Sequence, residues 1–392
     1  MGQKKGKVPA HIQPKQFQHP NANDTLVLIL NQVEDPREIS CNTRHSVTTI
    51  LFIVFATILC GAKNWEEMNV LASGEDFGRW LGAYVDLSGG IPSRWTLERV
   101  VSLIPTSQLQ PLFALFREHA KNIGTVAIDG KTLRGTKDWG KGHSLHLLHA
   151  WSVEEGVCIG QVPVDEKSNE ITAFPYLVSQ LELKGAVVTA DAMHTQKTSV
   201  KAVINRKADY ALPVKENQAG LLEDIRLLFA EAEAADFRGI DAAHTETTEK
   251  IGGRVESRKY TLLSAEGLPG ISEWEGCRCV GRVERRRTKG EKTSNETVYY
   301  ITSLDFEVEQ FAKSVRDHWG VENGLHWALD VVFREDNHRY QGRVGAANLS
   351  LIRKIALAVL TRDKTVKKGK ATKQMKAVGS AIYRDHLLKN CF

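Results

Sequence analysis

Apolar runs that stop at a carboxylate recur along this chain. Val126, Ala127 and Ile128 lead into Asp129, and Val187, Val188, Thr189 and Ala190 lead into Asp191. Both have the continuous apolar character of buried strands. Read onward from residue 125, the pattern predicts strands at 125–135, 145–155 and 157–166, then helix 169–183, strand 186–192, helix 195–207, strand 209–215 and helix 219–233. Three strands in hairpin succession followed by alternating helices and strands make a mixed α/β sheet flanked by helices. In that order the first and fourth strands can lie side by side at the sheet centre. This is the ribonuclease-H-like plan, and it joins Asp129 to Asp191 across 62 residues.

The pattern changes between about 240 and 306, where RKYTLLS (258–264), CRCVGRV (277–283) and TVYYITSL (297–304) read as strands separated by Gly-rich and charged turns. These pieces form a β-strand insertion. The core resumes with a helix carrying Glu322. Counted at 100° per residue, Phe311, Val315, Glu322, His326 and Leu329 share one stripe, which aims the acid inward. Upstream, 25–120 reads as helical, with apolar positions such as Leu26, Leu28 and Leu30. Val47–Ala62 has no charge, but a membrane span needs about 20 apolar residues and this run holds Thr48, Thr49 and Thr57. A buried helix is the expectation, in a protein without a membrane segment or signal peptide.

Net charge is +5, yet 1–23 carries +4 and 362–392 carries +7, so the stretch between them stands at −6. Two basic ends of this kind predict flexible arms that touch phosphates. The resulting division is a basic arm at 1–24, an amino-terminal helical domain at 25–120, a mixed-sheet domain at 121–362 interrupted by the insertion, and a basic tail at 363–392. Six cysteines without paired CxxC spacing imply a reducing, cytoplasmic setting. His143, His146 and His149 alternate across a strand and do not converge on one ion.

A buried carboxylate without a partner is costly, and ion pairs or metals are the usual reasons to keep one. Two strand-end aspartates and a helical glutamate are a set able to hold two magnesium ions. Around them, Lys131 and Arg134 follow Asp129 closely, His194 follows Asp191, and Arg282, Arg285, Arg286, Arg287 and Lys289 form a basic patch with Arg254 and Arg258 in the same insertion. Trp274, the insertion's one tryptophan, is expected in the core.

The motifs IDGKTLRG (128–135), DEKSNEITA (165–173), TADAMHTQ (189–196), YALPVKENQ (210–218), HWGVENGLHWALD (318–330) and FREDNHR (333–339) resemble those of the DDE transposases of bacterial insertion sequences, in particular the H-repeat-associated group. DPR (35–37), CGAKNWEEM (60–68) and GIPSRWTLERV (90–100) resemble the domain that precedes the catalytic core there. The resemblance implies that Asp129, Asp191 and Glu322 are the catalytic, metal-binding triad, with two Mg2+ or Mn2+ ions. It implies double-stranded DNA as partner, both terminal inverted repeats and target, and a homodimer in the synaptic complex. Lys131, Arg134, His194, Lys215, Arg254, Arg285, Arg286, His318 and Trp319 are the expected DNA contacts. The chain departs from related transposases at Val315, His318 and Leu329, where they carry Tyr, Arg and Lys. Glu335 and Asp336 are the next acids should Glu322 prove structural. Two alternatives remain at this point, a ribonuclease-H-like nuclease and a catalytically inactive transposase-derived DNA-binding protein.

Overall fold

The computed structural model describes residues 17–21, 24–113, 124–137, 144–164, 170–340 and 342–391. The chain forms two compact units. The first comprises Met1–His119, Thr132–Leu147 and Leu325–Phe392, the second Ala120–Lys131 and Leu148–Gly324. Most of the expected basic arm, His143 and residues 165–169 of the DEKSNEITA motif lie outside the described residues.

The described residues form a nine-stranded mixed sheet, most of it within the second unit. Its strands are β1 (Thr125–Leu133), β2 (Leu145–Ser152), β3 (Val157–Val164), β4 (Val187–Ala190), β5 (Asp209–Val214), β6 (Ala242–Ile251), β7 (Arg254–Ser264), β8 (Cys279–Lys289) and β9 (Lys292–Thr302), arranged in the order β3-β2-β1-β4-β5-β9-β8-β7-β6. β1, β4 and β5 are parallel neighbours, with Ile128 opposite Ala190 and Thr189 opposite Ala211. The first five strands follow the ribonuclease-H-like plan predicted from the apolar runs.

The sequence pieces 258–264, 277–283 and 297–304 grow into β7, β8 and β9 and are joined by β6. Because β9 pairs antiparallel with β5, Ala211 to Thr302, the insertion extends the core sheet. β6 (AAHTETTEKI) escaped the apolar pattern because it is a polar edge strand, the kind of edge that resists further pairing. Its register against β7 runs unbroken from Ala242–Leu263 to Ile251–Arg254. Tyr260, Leu262, Cys279 and Val283 pack with Phe311 and Ala312 of a helix at Val308–Asp317. Gly281 permits that contact, since a Cβ there would lie 2.6 Å from the Phe311 ring.

In the first unit, α1 (Thr25–Leu30), α2 (Val47–Leu59), α3 (Trp65–Ser73), α4 (Glu75–Gly82) and α5 (Arg94–Leu103) form the amino-terminal helices. Ser46 caps α2, every residue of which is buried. Its hydroxyls are satisfied internally: Thr49 Oγ1 donates to Asp86 O at 3.1 Å and Thr57 Oγ1 to Ile53 O at 2.7 Å. A helix at Arg343–Arg362 is long and apolar enough to cross a membrane by length and composition, but 89% of its apolar stretch is buried inside the fold. It packs on α2 and α5, and Asn348 Nδ2 donates to Val101 O and Ile104 O, each at 2.8 Å.

The carboxyl-terminal segment corrects the expectation of a flexible basic tail. Residues 370–379 and 381–391 are helices, and Lys373, Gln374, Tyr383, Arg384, Leu387 and Leu388 are buried. The cations serve packing. Lys373 Nζ donates to Leu360 O at 2.7 Å, and the Arg384 guanidinium lies over Phe77 and Trp80 while donating to Ala377 O. Asp385 accepts from Trp80 Nε1 at 2.6 Å and Tyr84 OH at 2.8 Å. A net-charge count could not register these contacts, because it treats each cation as solvated.

Candidate active site

Residues facing each other on neighbouring parallel strands point to the same side of a sheet, and such strands lie about 5 Å apart. Asp129 and Asp191 each follow one residue after the Ile128–Ala190 pair, so their carboxylates share a face at the end of the central strands. Asp129 is half-buried and its Oδ1 accepts from Gly130 N at 2.8 Å. Burial, and then the negative charge of Asp191, push the Asp129 carboxyl up to about 6, with Glu170 adding to the same effect. Asp191 is exposed. It is held below the ordinary carboxylate range by His318, whose Nε2 lies 3.7 Å from Asp191 Oδ1 while its Nδ1 pairs with Thr189 Oγ1 at 3.2 Å. One aspartate therefore carries the cost of two adjacent negative charges, and the other is stabilised as an anion.

Asp191 lines a cleft of ≈ 180 Å³ within the second unit, together with Lys215, Arg285, His318, Trp319 and Glu322. Glu322 reaches this wall through an irregular helix. The chain leaves the regular helix at Asp317 and continues as π-helical turns at Val321–His326 and Ala328–Val332. Such turns are rare and are frequently found at functional sites. Gly320 and Gly324 make the passage possible, since Cβ atoms there would lie 3.0 Å from Val153 and 2.8 Å from Trp151. The 100° count fails through the π turns, so Glu322 is exposed where an inward acid was predicted, while Val321, Leu325, Ala328 and Leu329 are buried. Among the described residues no three His, Cys, Asp or Glu side chains gather closely enough to hold one ion. The fold pairs Asp129 with Asp191 and leaves Glu322 apart on the cleft wall.

Of the expected DNA contacts, Lys215, Arg285, His318 and Trp319 line the cleft. Lys131 and His194 are buried and leave the candidate surface. The turn Ala192–His194 folds the His194 ring inward, where it stacks on Phe174 at 5.0 Å with Nε2 3.2 Å from Glu170 Oε2. Arg134 is exposed in the first unit, its Nε 3.7 Å from Asp336 Oδ2. Arg254 pairs with Glu256 at 3.3 Å, and Arg286 is exposed.

The basic patch proves to be an ion-pair lattice. Glu256, 2% exposed, is ringed by Arg254, Arg258, Arg285 and Arg287, and the buried Arg282 pairs with Glu233 at 2.7 Å over the Phe229 ring. Trp274 is buried as expected. Sequence reasoning passed over Arg316 and Tyr300, which line the cleft, and Glu170, which acts on Asp129. Arg316 is fixed by Glu249 at 3.2 Å. Its place two residues before His318 was the available signal.

Residues 121–359 match the family model of the transposase DDE domain, and 27–116 match one described as DDE_Tnp_1-associated. The chain belongs to the DDE transposase family. Several of its relatives are named accordingly. The Escherichia coli O157:H7 protein "Putative transposase YncI" is 35% identical over 361 residues, 89% of this chain and 90% of that protein. The Escherichia coli K12 protein "H repeat-associated putative transposase YhhI" is 35% identical over 353 residues, 86% of this chain and 91% of its own length. Among solved structures, a cryo-EM structure of the piggyBac transposase synaptic complex with hairpin DNA covers 94% of this chain and 78% of its own at a TM-score of 0.40 and 12% identity, too distant a likeness to build on. For this DDE transposase chain, the matched span contains Asp129, Asp191 and Glu322 alike.

Proposed function

We propose that the protein binds the terminal inverted repeats of its own insertion sequence and cuts and joins DNA strands, working as a homodimer at the nucleoid. The observation that carries this reading is the Asp129–Asp191 pair, one residue beyond the Ile128–Ala190 register of two neighbouring central strands, with Asp191 lining a cleft that also holds Lys215, Arg285, Trp319 and Glu322. Hard carboxylate oxygens suit Mg2+ or Mn2+, and a divalent ion would relieve the repulsion that, after burial, raises Asp129. Asp129 and Asp191 would hold the metal. Held there, divalent ions would supply Lewis-acid polarisation of the scissile phosphate and a lowered pKa for the attacking water or 3′-hydroxyl.

The geometry supports the remaining roles. His318, anchored on Thr189, keeps Asp191 ionised and turned toward the cleft. Lys215 and Arg285 offer positive charge to the phosphates flanking the cut, and Arg285 lies 6.0 Å from the exposed ring of Trp319. Glu322, on the cleft wall, would supply the third acid. The test is a magnesium-dependent nicking assay on duplexes carrying the flanking repeats. Glu322→Gln keeps the shape and removes the charge, so nicking should vanish while repeat binding stays near wild type. Undiminished nicking by this variant in purified protein makes Glu322 structural. Glu335 cannot replace it, because its side chain is fully buried with Oε1 3.5 Å from Arg353 Nη1.

A further inference from the structure

A separate polar cleft of ≈ 700 Å³ opens among the amino-terminal helices of the first unit. It is lined by the loop 37–45, by Gly89 and Ile91, and by Ser93, Thr96 and Arg99 at the start of α5. The loop is held in shape from within. Arg37 grips Asp35 through two contacts at 2.6 and 2.8 Å and donates to His45 O at 2.8 Å. Ser40 N donates to Thr43 Oγ1, and Thr43 N to Ser40 O, each at 3.0 Å. Gly89 then lets a second loop press against the first, since a Cβ there would stand 2.3 Å from Arg44 O. The cleft is thus built before any ligand arrives.

Its charge is unbalanced in a specific way. Arg37 is neutralised by Asp35, whereas Arg44 and Arg99 are exposed and have no ion-pair partner among the described residues. Against these two guanidinium groups the lining offers one acid, Glu38. The other polar groups are largely hydroxyls, from Ser40, Thr43, Ser93 and Thr96. α5 buries Leu97, Val100 and Val101, which leaves Arg99 on its open side. Guanidinium forks and hydroxyl donors are the groups that proteins present to phosphate oxygens of DNA.

We propose that this cleft seats the phosphodiester backbone of double-stranded DNA, with Arg44 and Arg99 each contacting a phosphate. The inference rests on the DNA-binding reading above and assigns the backbone contacts of the amino-terminal helices to one place. The contacts are charge contacts, so they act alike on every sequence and appear in the salt dependence of binding.

The experiment compares full-length wild type, Arg44→Gln/Arg99→Gln and Arg44→Lys/Arg99→Lys on a random duplex and on one carrying the terminal repeat, across a salt series. At about 0.9 per phosphate contact, the glutamine variant should flatten the slope of log K against log salt by roughly 1.8 on both duplexes. The lysine variant should keep the wild-type slope. If the wild type binds duplex DNA and the glutamine variant binds with the same affinity and slope, the cleft is not a phosphate seat. Equal loss in both double variants overturns the proposal too, because charge would not be the cause. Absence of salt-dependent duplex binding in the wild type would instead bring down the functional reading itself.

Discussion

Two acids in this molecule meet opposite surroundings. Asp363 in the first unit is fully buried, yet it accepts from Thr365 N at 3.0 Å, Thr365 Oγ1 at 2.6 Å and Tyr383 OH at 2.5 Å, with Lys373 Nζ 3.6 Å away. Burial alone would raise it, but these donors and the ammonium hold it down to about 2. Asp129 in the second unit is half-buried and faces another carboxylate, and burial and then that charge push it up to about 6. The fold completes the first acid and leaves the second with a repulsion. An acid completed by its own chain is scaffold, and one set against a like charge is suited to a cation from outside.

The largest expected effect separates them by activity. Asp129→Asn should reduce magnesium-dependent nicking by on the order of 10³-fold or more, since the ion's several kcal/mol of charge stabilisation is lost. Without divalent ions the same variant should melt no lower than wild type, because it removes a repulsion. Adding magnesium should raise the melting temperature of wild type and not of the variant, as a ligand that binds only the folded state must. An Asp129→Asn protein that melts well below wild type in the absence of metal would place Asp129 with Asp363, as scaffold.

How much of this contrast the sequence reveals follows from what each signal depends on. Asp129 and Asp191 were legible because a strand-end acid after an apolar run is a local pattern, and because strand order alone makes β1 and β4 neighbours. The exposure of Glu322 was not, since it depends on π turns admitted by Gly320 and Gly324 against β2 and the turn after it. His194 and Lys131 sat at suggestive distances from the aspartates, but distance along the chain does not say which way a turn folds its side chains. The cationic carboxyl-terminal segment misled most. Its Lys373 and Arg384 find carbonyls and aromatic faces far away in sequence, which composition cannot show.

A smaller effect, on stability, tests the other acid. Asp363→Ala leaves the buried Lys373 without its anion, and breaking a buried pair costs about 3–5 kcal/mol. For compact units of this size that amounts to a fall in melting temperature of roughly 10 °C, measurable by calorimetry. Removal of 363–392 should be worse, because it also strips Tyr383, Leu387 and Leu388 from the first unit. If the truncated protein instead melts like wild type and loses only DNA affinity, the segment is an arm after all.

The smallest effect is a pH dependence that also comes from a group completed by its surroundings. His338 is buried beside Arg353, accepts from Arg353 Nη2 at 3.0 Å through Nδ1, and is pushed down to about 3 by burial and then by that guanidinium. A base whose folded pKa lies below its unfolded value near 6.5 stabilises the fold where both states are neutral. That stability is lost as pH falls below about 6.5 toward 3, where the unfolded chain takes up the proton and the folded one refuses it. At pH 5 the loss should be roughly 2 kcal/mol relative to pH 8. His338→Gln retains an acceptor for Arg353 and does not titrate, so denaturant melts between pH 8 and 5 should show that share of the slope gone. Asp363, depressed toward 2, has the same sign but a lower window, keeping its stabilisation above about 4 and losing it between 4 and 2. A variant that flattens the profile below pH 4 while leaving pH 5–8 unchanged would show that the acid-sensitive group near neutrality is not His338.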